Sequence, residues 1–263
     1  MKKIILSITL IIAVQWTLYA QALYVGGGIG PGFRAGSKVF GVSTNKDGSV
    51  DVVKGSDGSG LIAPLYVGYM SSKNVGLELG IGSFIGYTNK LNDPYNTGTT
   101  SFSGNSLFLN PSFVIRTGGE KIAPYVKLGV FLGLVNNSIT QYDPTSTDPY
   151  VTTQETITYK KGMATGVTSS LGLDIKISRK WVLFGEMFTR LASYSPKKYS
   201  DETTTENYSP GSGSYTKTTT VVNGNLVTHL PPDYSANGDR AAIVVPFSTI
   251  GFNLGLKCYI FKK

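Results

Sequence analysis

The chain has 263 residues, of which 24 are basic, 16 are acidic and one, Cys258, is a cysteine. A single β-domain often has this length, and one cysteine excludes an internal disulfide in an exported chain. Beyond the N-terminus there is no uninterrupted apolar stretch of about 18 residues, which excludes transmembrane helices. The mild excess of positive charge, without a basic cluster, does not indicate nucleic-acid binding.

The N-terminus has the pattern of a secretory signal peptide. Lys2 and Lys3 precede an apolar stretch from Ile4 to Val14, and small residues follow at Ala20 and Ala22. This pattern predicts a signal peptide over residues 1–20, with cleavage after Ala20 or after Ala22. The mature chain over residues 21–263 then carries 22 basic and 16 acidic residues, a net charge of +6.

Eight stretches with the alternation of β-strands follow along the mature chain, and helical periodicity is almost absent. Glycine, β-branched and aromatic residues dominate them. In chain order they are Leu23–Gly36, Leu61–Met70, Val75–Tyr87, Ser103–Arg116, Ile122–Val135, Gly162–Ile177, Trp181–Leu191 and Ala242–Phe261. The sequence therefore predicts an all-β protein.

The connections between the predicted strands alternate strictly between short and long. The short ones are Ser71–Asn74, Thr117–Lys121 and Ser178–Lys180, and the long ones are Ser37–Gly60, Thr88–Phe102, Asn136–Lys161 and Ala192–Ala241. Tight periplasmic turns and long extracellular loops are typical of outer-membrane barrels. We therefore predict an eight-stranded antiparallel up-and-down transmembrane β-barrel. The polar long loops predict a solvated surface with local hairpins.

Each predicted strand has an apolar face and a face of small or polar residues. In the third strand Leu77 and Leu79 alternate with Glu78 and Gly80. An Arg or Lys on the lipid face at mid-bilayer costs about 2–4 kcal/mol, so the aliphatic faces point outward. Inward glycines leave room for large groups in the narrow interior of eight strands. The large inward groups are predicted to include Tyr66, Phe84, Phe108 and Phe131.

The inward faces also carry seven charged residues: Glu78, Arg116, Lys127, Asp174, Glu186, Arg190 and Lys257. Counted from the short turns, five of them fall at a similar depth in the periplasmic half of the lumen. Arg116 lies closer to its turn and Arg190 lies higher. Unpaired charges are costly in a low-dielectric interior, so we expect the three acids and two bases at similar depth to pair. Two roles stay open: a structural polar core that plugs the barrel, and a switchable gate for small ions.

Four parts of the predicted barrel share a further pattern of residue types: Pro64–Met70 with Val75–Gly80, Leu109–Arg116 with Ala123–Gly129, Gly172–Glu186, and Gly251–Gly255. They resemble the small outer-membrane β-barrel family related to the OmpA and OmpW transmembrane domains. The resemblance implies a barrel placed in the outer membrane by the insertion machinery. The closing strand departs from the family, because Cys258 and Ile260 stand where outward aromatic residues are usual. Tyr259 and Phe261 are each shifted by one residue from those outward positions.

Three motifs have weaker functional interpretations. His229 lies in the last long connection without a serine close by, and a general base needs a positioned partner. The segment Asn45–Asp51 lacks the alternating carboxylates of a calcium loop. The spacing of Gly30, Gly32 and Ala35 fits a phosphate-binding loop only loosely, and no helix follows it. We therefore predict no cofactor, no metal site and no catalytic residue.

These observations favour a non-enzymatic outer-membrane protein with an envelope-structural or surface-interaction role. The expected partners are outer-membrane lipid, the insertion machinery and an extracellular ligand of the long loops, with a monomer as the expected state. A narrow channel for small solutes is the first alternative, and it requires a continuous polar lumen. A lipid-modifying enzyme is the second, and it requires a histidine beside an acid or a serine at the outer rim.

Overall fold

A computed structural model describes residues 22–36, 38–44, 50–55, 58–92, 99–117, 119–143, 150–209, 212–227, 240–241 and 243–262. The strands are β1 (Ala22–Arg34), β2 (Lys38–Thr44), β3 (Val50–Gly55), β4 (Gly60–Met70), β5 (Val75–Gly86), β6 (Asn89–Asn92), β7 (Thr99–Arg116), β8 (Ile122–Asp143), β9 (Val151–Lys176), β10 (Trp181–Ser209), β11 (Ser214–Val227), β12 (Arg240–Ala241), β13 (Val245–Pro246) and β14 (Thr249–Lys262). Within these ranges no helix is long and apolar enough to cross a membrane.

Eight of these strands form a closed ring. The order is β1-β4-β5-β7-β8-β9-β10-β14, each neighbouring pair is antiparallel, and β14 pairs with both β10 and β1. The ring strands follow one another in the chain, as an up-and-down barrel requires. The predicted eight-stranded antiparallel barrel is therefore confirmed. Closure leaves none of the eight strands with an unpaired edge at the level of the ring, which a membrane-spanning sheet needs because lipid offers no hydrogen bonds.

The outer surface of the ring is an apolar belt. Every ring strand contributes a large aliphatic side chain between 41% and 69% exposed, such as Ile29, Leu65, Ile81, Leu107, Leu128, Leu171, Leu183 and Leu254. Soluble monomers rarely expose apolar patches beyond a few hundred Å². The belt is therefore the lipid-facing surface, and the predicted outward register of the aliphatic faces is confirmed. Cys258, opposite Val25 and Trp181, is half-buried on this surface.

At the long-loop end, several strands extend well beyond their predicted ends. The pairing of β9 with β10 continues for ten residue pairs from Lys198 and Lys160 to Asn207 and Val151. At about 3.3 Å per residue, these ten pairs extend β9 and β10 roughly 30 Å beyond the long-loop edge of the ring, which we call the rim. We call the strands beyond the rim the outer sheet. β8 pairs with β9 there, β11 pairs with β10, and β2 and β3 form a separate hairpin.

Much of Asn136–Lys161 and Ala192–Ala241 is therefore strand rather than loop, and the expectation of local hairpins within these connections is confirmed in the described residues. These segments are rich in threonine and tyrosine, which favour strands, but they lack an apolar face. These segments form strands because their backbones pair as continuations of the barrel strands, although no hydrophobic core packs against them. The barrel strands pass into the outer sheet near Lys161, which has a φ of 55°. On β8 the change lies near a register shift between Leu134 and Asn137.

The last predicted strand also begins later than expected. β14 starts at Thr249, and Ala242 lies outside the described residues. Just before it, the Phe247 backbone N–H donates to the Ala192 carbonyl at 3.0 Å, and the short β13 pairs with β10. This segment therefore enters the top of the barrel, and Phe247 is fully buried there.

Candidate functional site in the barrel lumen

The short-turn end of the lumen is closed by apolar and aromatic side chains. Tyr24 and Tyr259 lie with their ring centroids 5.4 Å apart. Ala22, Met70 and Val182 complete a buried cluster around them. The inward position of Tyr259 follows from its pairing with Tyr24 in the register of β1 and β14. This layer separates the charged interior from the periplasmic side, where the short turns of such barrels lie.

The centre of the charged layer is Lys127. Its Nζ lies 2.6 Å from Glu78 Oε1 and 2.8 Å from Glu186 Oε2, and all three side chains are at most 5% exposed. The three residues come from β8, β5 and β10, so only closure of the ring brings them together. One lysine thus compensates part of the charge of two carboxylates on opposite sides of the lumen.

Tyrosine hydroxyl groups complete the coordination of these carboxylates. Tyr24 donates to Glu78 Oε2 at 2.7 Å. Tyr66 and Tyr125 each donate to Glu186 at 2.9 Å. Charge-assisted hydrogen bonds of this kind are about twice as strong as neutral ones. Every carboxylate oxygen of Glu78 and Glu186 therefore accepts from, or is paired with, a neighbouring group.

A second group of charges surrounds Asp174. Lys257 Nζ lies 2.8 Å from Asp174 Oδ1, and Arg116 Nη1 lies 3.5 Å from Oδ2. Arg116 also donates to the Tyr259 hydroxyl, which links this group to the lower apolar layer. The Lys257 ammonium stands 4.2 Å from the centre of the Tyr125 ring, a cation–π contact.

Inward glycines make space for the aromatic rings that carry these hydroxyl groups. A Cβ atom on Gly68 would overlap Cζ of the Tyr24 ring, and one on Gly172 would overlap Cζ of the Tyr125 ring. Each glycine is the direct register partner of the tyrosine that it accommodates, across β4 and β1 or across β9 and β8. The predicted reason for the inward glycines therefore holds at these positions.

The upper lumen is filled by an aromatic plug, which consists of Ile62, Phe84, Phe108, Phe131, Val135, Ala164, Phe188, Ala192, Tyr194, Val245 and Phe247. The Phe247 ring lies 5.1 Å from that of Phe84 and 6.1 Å from that of Phe131, centre to centre. The guanidinium of Arg190 lies beneath the plug, 3.9 Å from the centre of the Phe131 ring.

The end of the outer sheet carries a second cluster, which we call the tyrosine tip: Tyr150, Tyr208 and Tyr215. They are 46%, 45% and 58% exposed. Tyr208 and Tyr215 are register partners, and the rings of Tyr150 and Tyr208 lie 6.0 Å apart. Beside them Lys217 Nζ donates to Glu206 Oε1 at 3.0 Å.

Of the seven charged residues predicted from the sequence, six meet in the paired network. Arg190 is separate from it, in agreement with its predicted higher position. The predicted large inward groups Tyr66, Phe84, Phe108 and Phe131 are all buried. Sequence reasoning missed Phe247. Its odd number places it on the same face of the predicted last strand as the inward residues Gly251 and Asn253. Sequence reasoning also missed the tyrosine tip, because Tyr150 and Tyr208 are distant in the chain and the β10–β11 hairpin that pairs Tyr208 with Tyr215 lies in a segment expected to be a polar loop.

The other candidate sites are not assembled in the described parts of the chain. His229 and residues 45–49 lie outside the described residues. Within the described ranges, no three His, Cys, Asp or Glu side chains are grouped so that they could hold a metal ion. Gly30 and Gly32 lie inside β1, where Gly30 approaches the Phe252 carbonyl oxygen of β14. They are therefore part of the barrel wall rather than a phosphate-binding loop.

A closed ring, an apolar belt and a polar interior define a transmembrane β-barrel of the outer-membrane type. The prediction of that class and location from the sequence pattern is confirmed. No protein-family model and no curated protein matches the chain.

Among solved structures, the chain is similar to the outer-membrane protein OprG from Pseudomonas aeruginosa, with 14% identity, a TM-score of 0.49 and coverage of 92% of this chain and 97% of that one. It is also similar to a major outer-membrane protein from Thermus thermophilus, with 12% identity, a TM-score of 0.44 and coverage of 91% and 100%. A third is Ail, the attachment invasion locus protein of Yersinia pestis, with 10% identity, a TM-score of 0.33 and coverage of 91% and 98%. At these values the similarity concerns the fold and assigns no role.

Proposed function

We propose that this barrel is a non-enzymatic surface-interaction protein that contacts an external macromolecule through its tyrosine tip. The observation that carries the proposal is the clustering of Tyr150, Tyr208 and Tyr215, exposed at the end of a sheet about 30 Å beyond the rim. Exposed tyrosines provide large, rigid contact area with a polar end, and they are enriched in protein interfaces.

The surroundings of the tip support a recognition role. Threonines pair across β10 and β11, with Thr204 Oγ1 3.2 Å from Thr219 Oγ1. Beyond Asp201, none of the described residues of β10 and β11 is buried. The outer sheet therefore does not serve as a second packing layer for the barrel. An unpacked sheet that holds aromatic side chains far from the membrane is suited to reaching a partner.

The alternative of an open channel finds less support in the lumen. The aromatic plug closes the upper half among the described residues, and the ion-pair network fills the lower half. A channel role would need these layers to move. The gate hypothesis for the charged residues stays a prediction, and conductance of the purified protein in planar bilayers, compared with Lys127→Met, tests it. Silence of both proteins would contradict a gate.

Adhesion of producing cells tests the proposal. Cells that display the intact protein are compared with cells that display Tyr150→Ser/Tyr208→Ser/Tyr215→Ser, on immobilised glycoproteins and on layers of other cells. We expect the triple variant to lose adhesion at least tenfold, because hot-spot residues of an interface each contribute about 2 kcal/mol or more. The matched control is Tyr87→Ser, since Tyr87 is 49% exposed at the end of β5, away from the tip.

Surface display of each variant is measured with an antibody against an epitope tag in the β2–β3 hairpin. Equal adhesion of the triple variant and the intact protein would overturn the tip as the contact site. Adhesion that falls equally with Tyr87→Ser would do the same, because the loss would then not depend on the tip.

A further inference from the structure

Arg190 is a buried cation that stands apart from the lumen ion-pair network. It projects inward from β10 and is 4% exposed. Its guanidinium lies 3.9 Å from the centre of the Phe131 ring and 4.8 Å from that of Phe108. These rings provide a cation–π contact on one side. They do not neutralise the charge.

The carboxylates of the lumen are already engaged by other cations. Glu78 and Glu186 pair with Lys127, and Asp174 pairs with Lys257 and Arg116. Three acids thus balance three bases in this network. Among the described residues Arg190 has no ion pair, and its Nε and Nη1 atoms have no hydrogen-bond partner. The described lumen therefore carries one uncompensated positive charge.

A small cavity lies directly beside this cation. The cavity has a volume of about 30 Å³ and lies between the aromatic plug and the ion-pair network, and its polar lining consists of Tyr66, Asn110, Thr168, Ser170, Glu186, Arg190 and Asn253. Both carboxylate oxygens of Glu186 are already engaged, by Lys127 and by the hydroxyl groups of Tyr66 and Tyr125. Among the described residues, Arg190 is therefore the charged group of this lining that lacks an opposite charge. Asn253 Oδ1 also has no hydrogen-bond partner. Since one water needs about 10–15 Å³ on this measure, the cavity has room for roughly two particles of that size.

We propose that this cavity is a binding site for a small monovalent anion of the halide class, held by the Arg190 guanidinium. Burial of an unpaired charge costs far more than burial of a neutral polar group, and an anion supplies the missing opposite charge. Water alone would solvate the guanidinium without neutralising it. A water molecule next to the anion can donate to both the anion and Asn253 Oδ1, which gives this remaining unpaired atom a hydrogen bond.

The size and charge of the site define the ligand class. The uncompensated charge is a single one, which matches a monovalent anion. Phosphate and sulfate are too large for a space of about 30 Å³ that must also hold a water. The proposal does not depend on the role of the tyrosine tip, because the cavity lies on the opposite side of the aromatic plug from the outer sheet.

Folding in the presence of different anions tests the site. The mature protein is refolded into detergent micelles in chloride, in bromide, or in gluconate at the same ionic strength. We expect the unfolding equilibrium constant to fall by up to tenfold for each tenfold rise in chloride at constant ionic strength, as for a ligand that binds only the folded state. Crystals grown from the bromide sample should show an anomalous peak in contact with the Arg190 guanidinium.

Two variants separate a site from a general salt effect. Arg190→Met should lose the chloride dependence, and Arg190→Lys should keep it. Lys217→Met removes a cation from the outer sheet and should keep the full dependence. If Arg190→Met does not fold, the bromide peak and the chloride dependence of the unchanged protein decide. A cavity with no anomalous peak, together with stability that is equal in chloride and gluconate, would overturn the proposal and leave water as the occupant.

Discussion

The lumen and the tyrosine tip contain the same kinds of side chain in similar contacts. In the lumen Lys127 Nζ lies 2.6 Å from Glu78 Oε1, and the Tyr24 hydroxyl donates a hydrogen bond to the other carboxylate oxygen of Glu78. At the tip Lys217 lies 3.0 Å from Glu206, with tyrosines beside it. The paired side chains are 5% and 2% exposed in the lumen, but 54% and 40% exposed at the tip. Environment, not contact geometry, distinguishes the two regions.

The difference determines what each region can do. Charges inside the barrel have lost their water and depend on their protein partners, so removal of one partner leaves a buried charge. Charges at the tip keep water as an alternative partner, and such exposed pairs contribute little to stability. We therefore expect loss of a partner in the lumen network to destabilise the barrel far more than loss of a partner at the tip.

The largest expected effect comes from Lys127→Met, which leaves Glu78 and Glu186 buried without their main cation. We expect the free energy of unfolding to fall by about 3–5 kcal/mol, measured by urea unfolding in detergent micelles. Adding Glu78→Gln and Glu186→Gln to the same protein should recover much of the loss. Lys217→Met is the matched control at the tip and should leave global unfolding unchanged. Equal effects of the two lysine variants would contradict the comparison.

A smaller loss is expected for Gly172→Ala, because the new Cβ would overlap the Tyr125 ring. Overpacking of this kind costs about 1–3 kcal/mol in the free energy of unfolding. Gly80→Ala is the matched control, since its Cβ would stay 3.4 Å from the nearest atoms, those of the Tyr66 ring. The two variants should differ clearly in urea midpoint. If Gly80→Ala is the more destabilising one, the proposed fit of ring against glycine is wrong.

Within the outer sheet, Thr219→Ala removes the contact with the Thr204 hydroxyl. Cross-strand pairs of this kind contribute about 0.2–1 kcal/mol. We expect faster hydrogen exchange at the amides of β10 and β11, with no change in the unfolding of the barrel, because the sheet opens locally. A change in barrel unfolding as large as that of Gly172→Ala would show that the outer sheet supports the barrel.

The smallest effect concerns the pH dependence of the tip. The hydrogen bond from Lys217 lowers the pKa of Glu206, and the same bond raises the pKa of Lys217. A lowered acid pKa gives a contribution that is present above the unfolded-state value and is lost as pH falls through the folded-state value. Carbon NMR titration should therefore give Glu206 a midpoint below the ordinary value for glutamate. Lys217→Met should move the midpoint upward, and an unchanged midpoint would contradict the pairing.

The membrane part of the fold could be predicted because lipid imposes a simple rule. Alternation of Leu77 and Leu79 with Glu78 and Gly80 determines both strand and register, and the short turns determine the order of the strands. The outer sheet could not be predicted in the same way. Its strands have no apolar face, so a polar strand and a polar loop have the same composition there.

The site was predictable in kind but not in detail. Parity and depth place Lys127 and Glu186 on the inner wall at similar height, and the cost of unpaired charge requires that they find partners. The choice of partners depends on how the ring closes, since Glu78, Lys127 and Glu186 lie on three different strands. The same holds for Phe247, whose segment is held at the lumen by the pairing of β13 with β10 and by the hydrogen bond from its N–H to the Ala192 carbonyl.

By itself the sequence determined the barrel, its lipid-facing register and the set of charges that it encloses, because these follow from the local alternation of apolar and polar residues. Only the tertiary structure decided which charges pair, that Arg190 remains unpaired beside a cavity, and that three tyrosines meet at the end of the outer sheet. The charge pairs and the contact of Tyr150 with Tyr208 join residues that are distant in the chain, and no local pattern encodes such contacts.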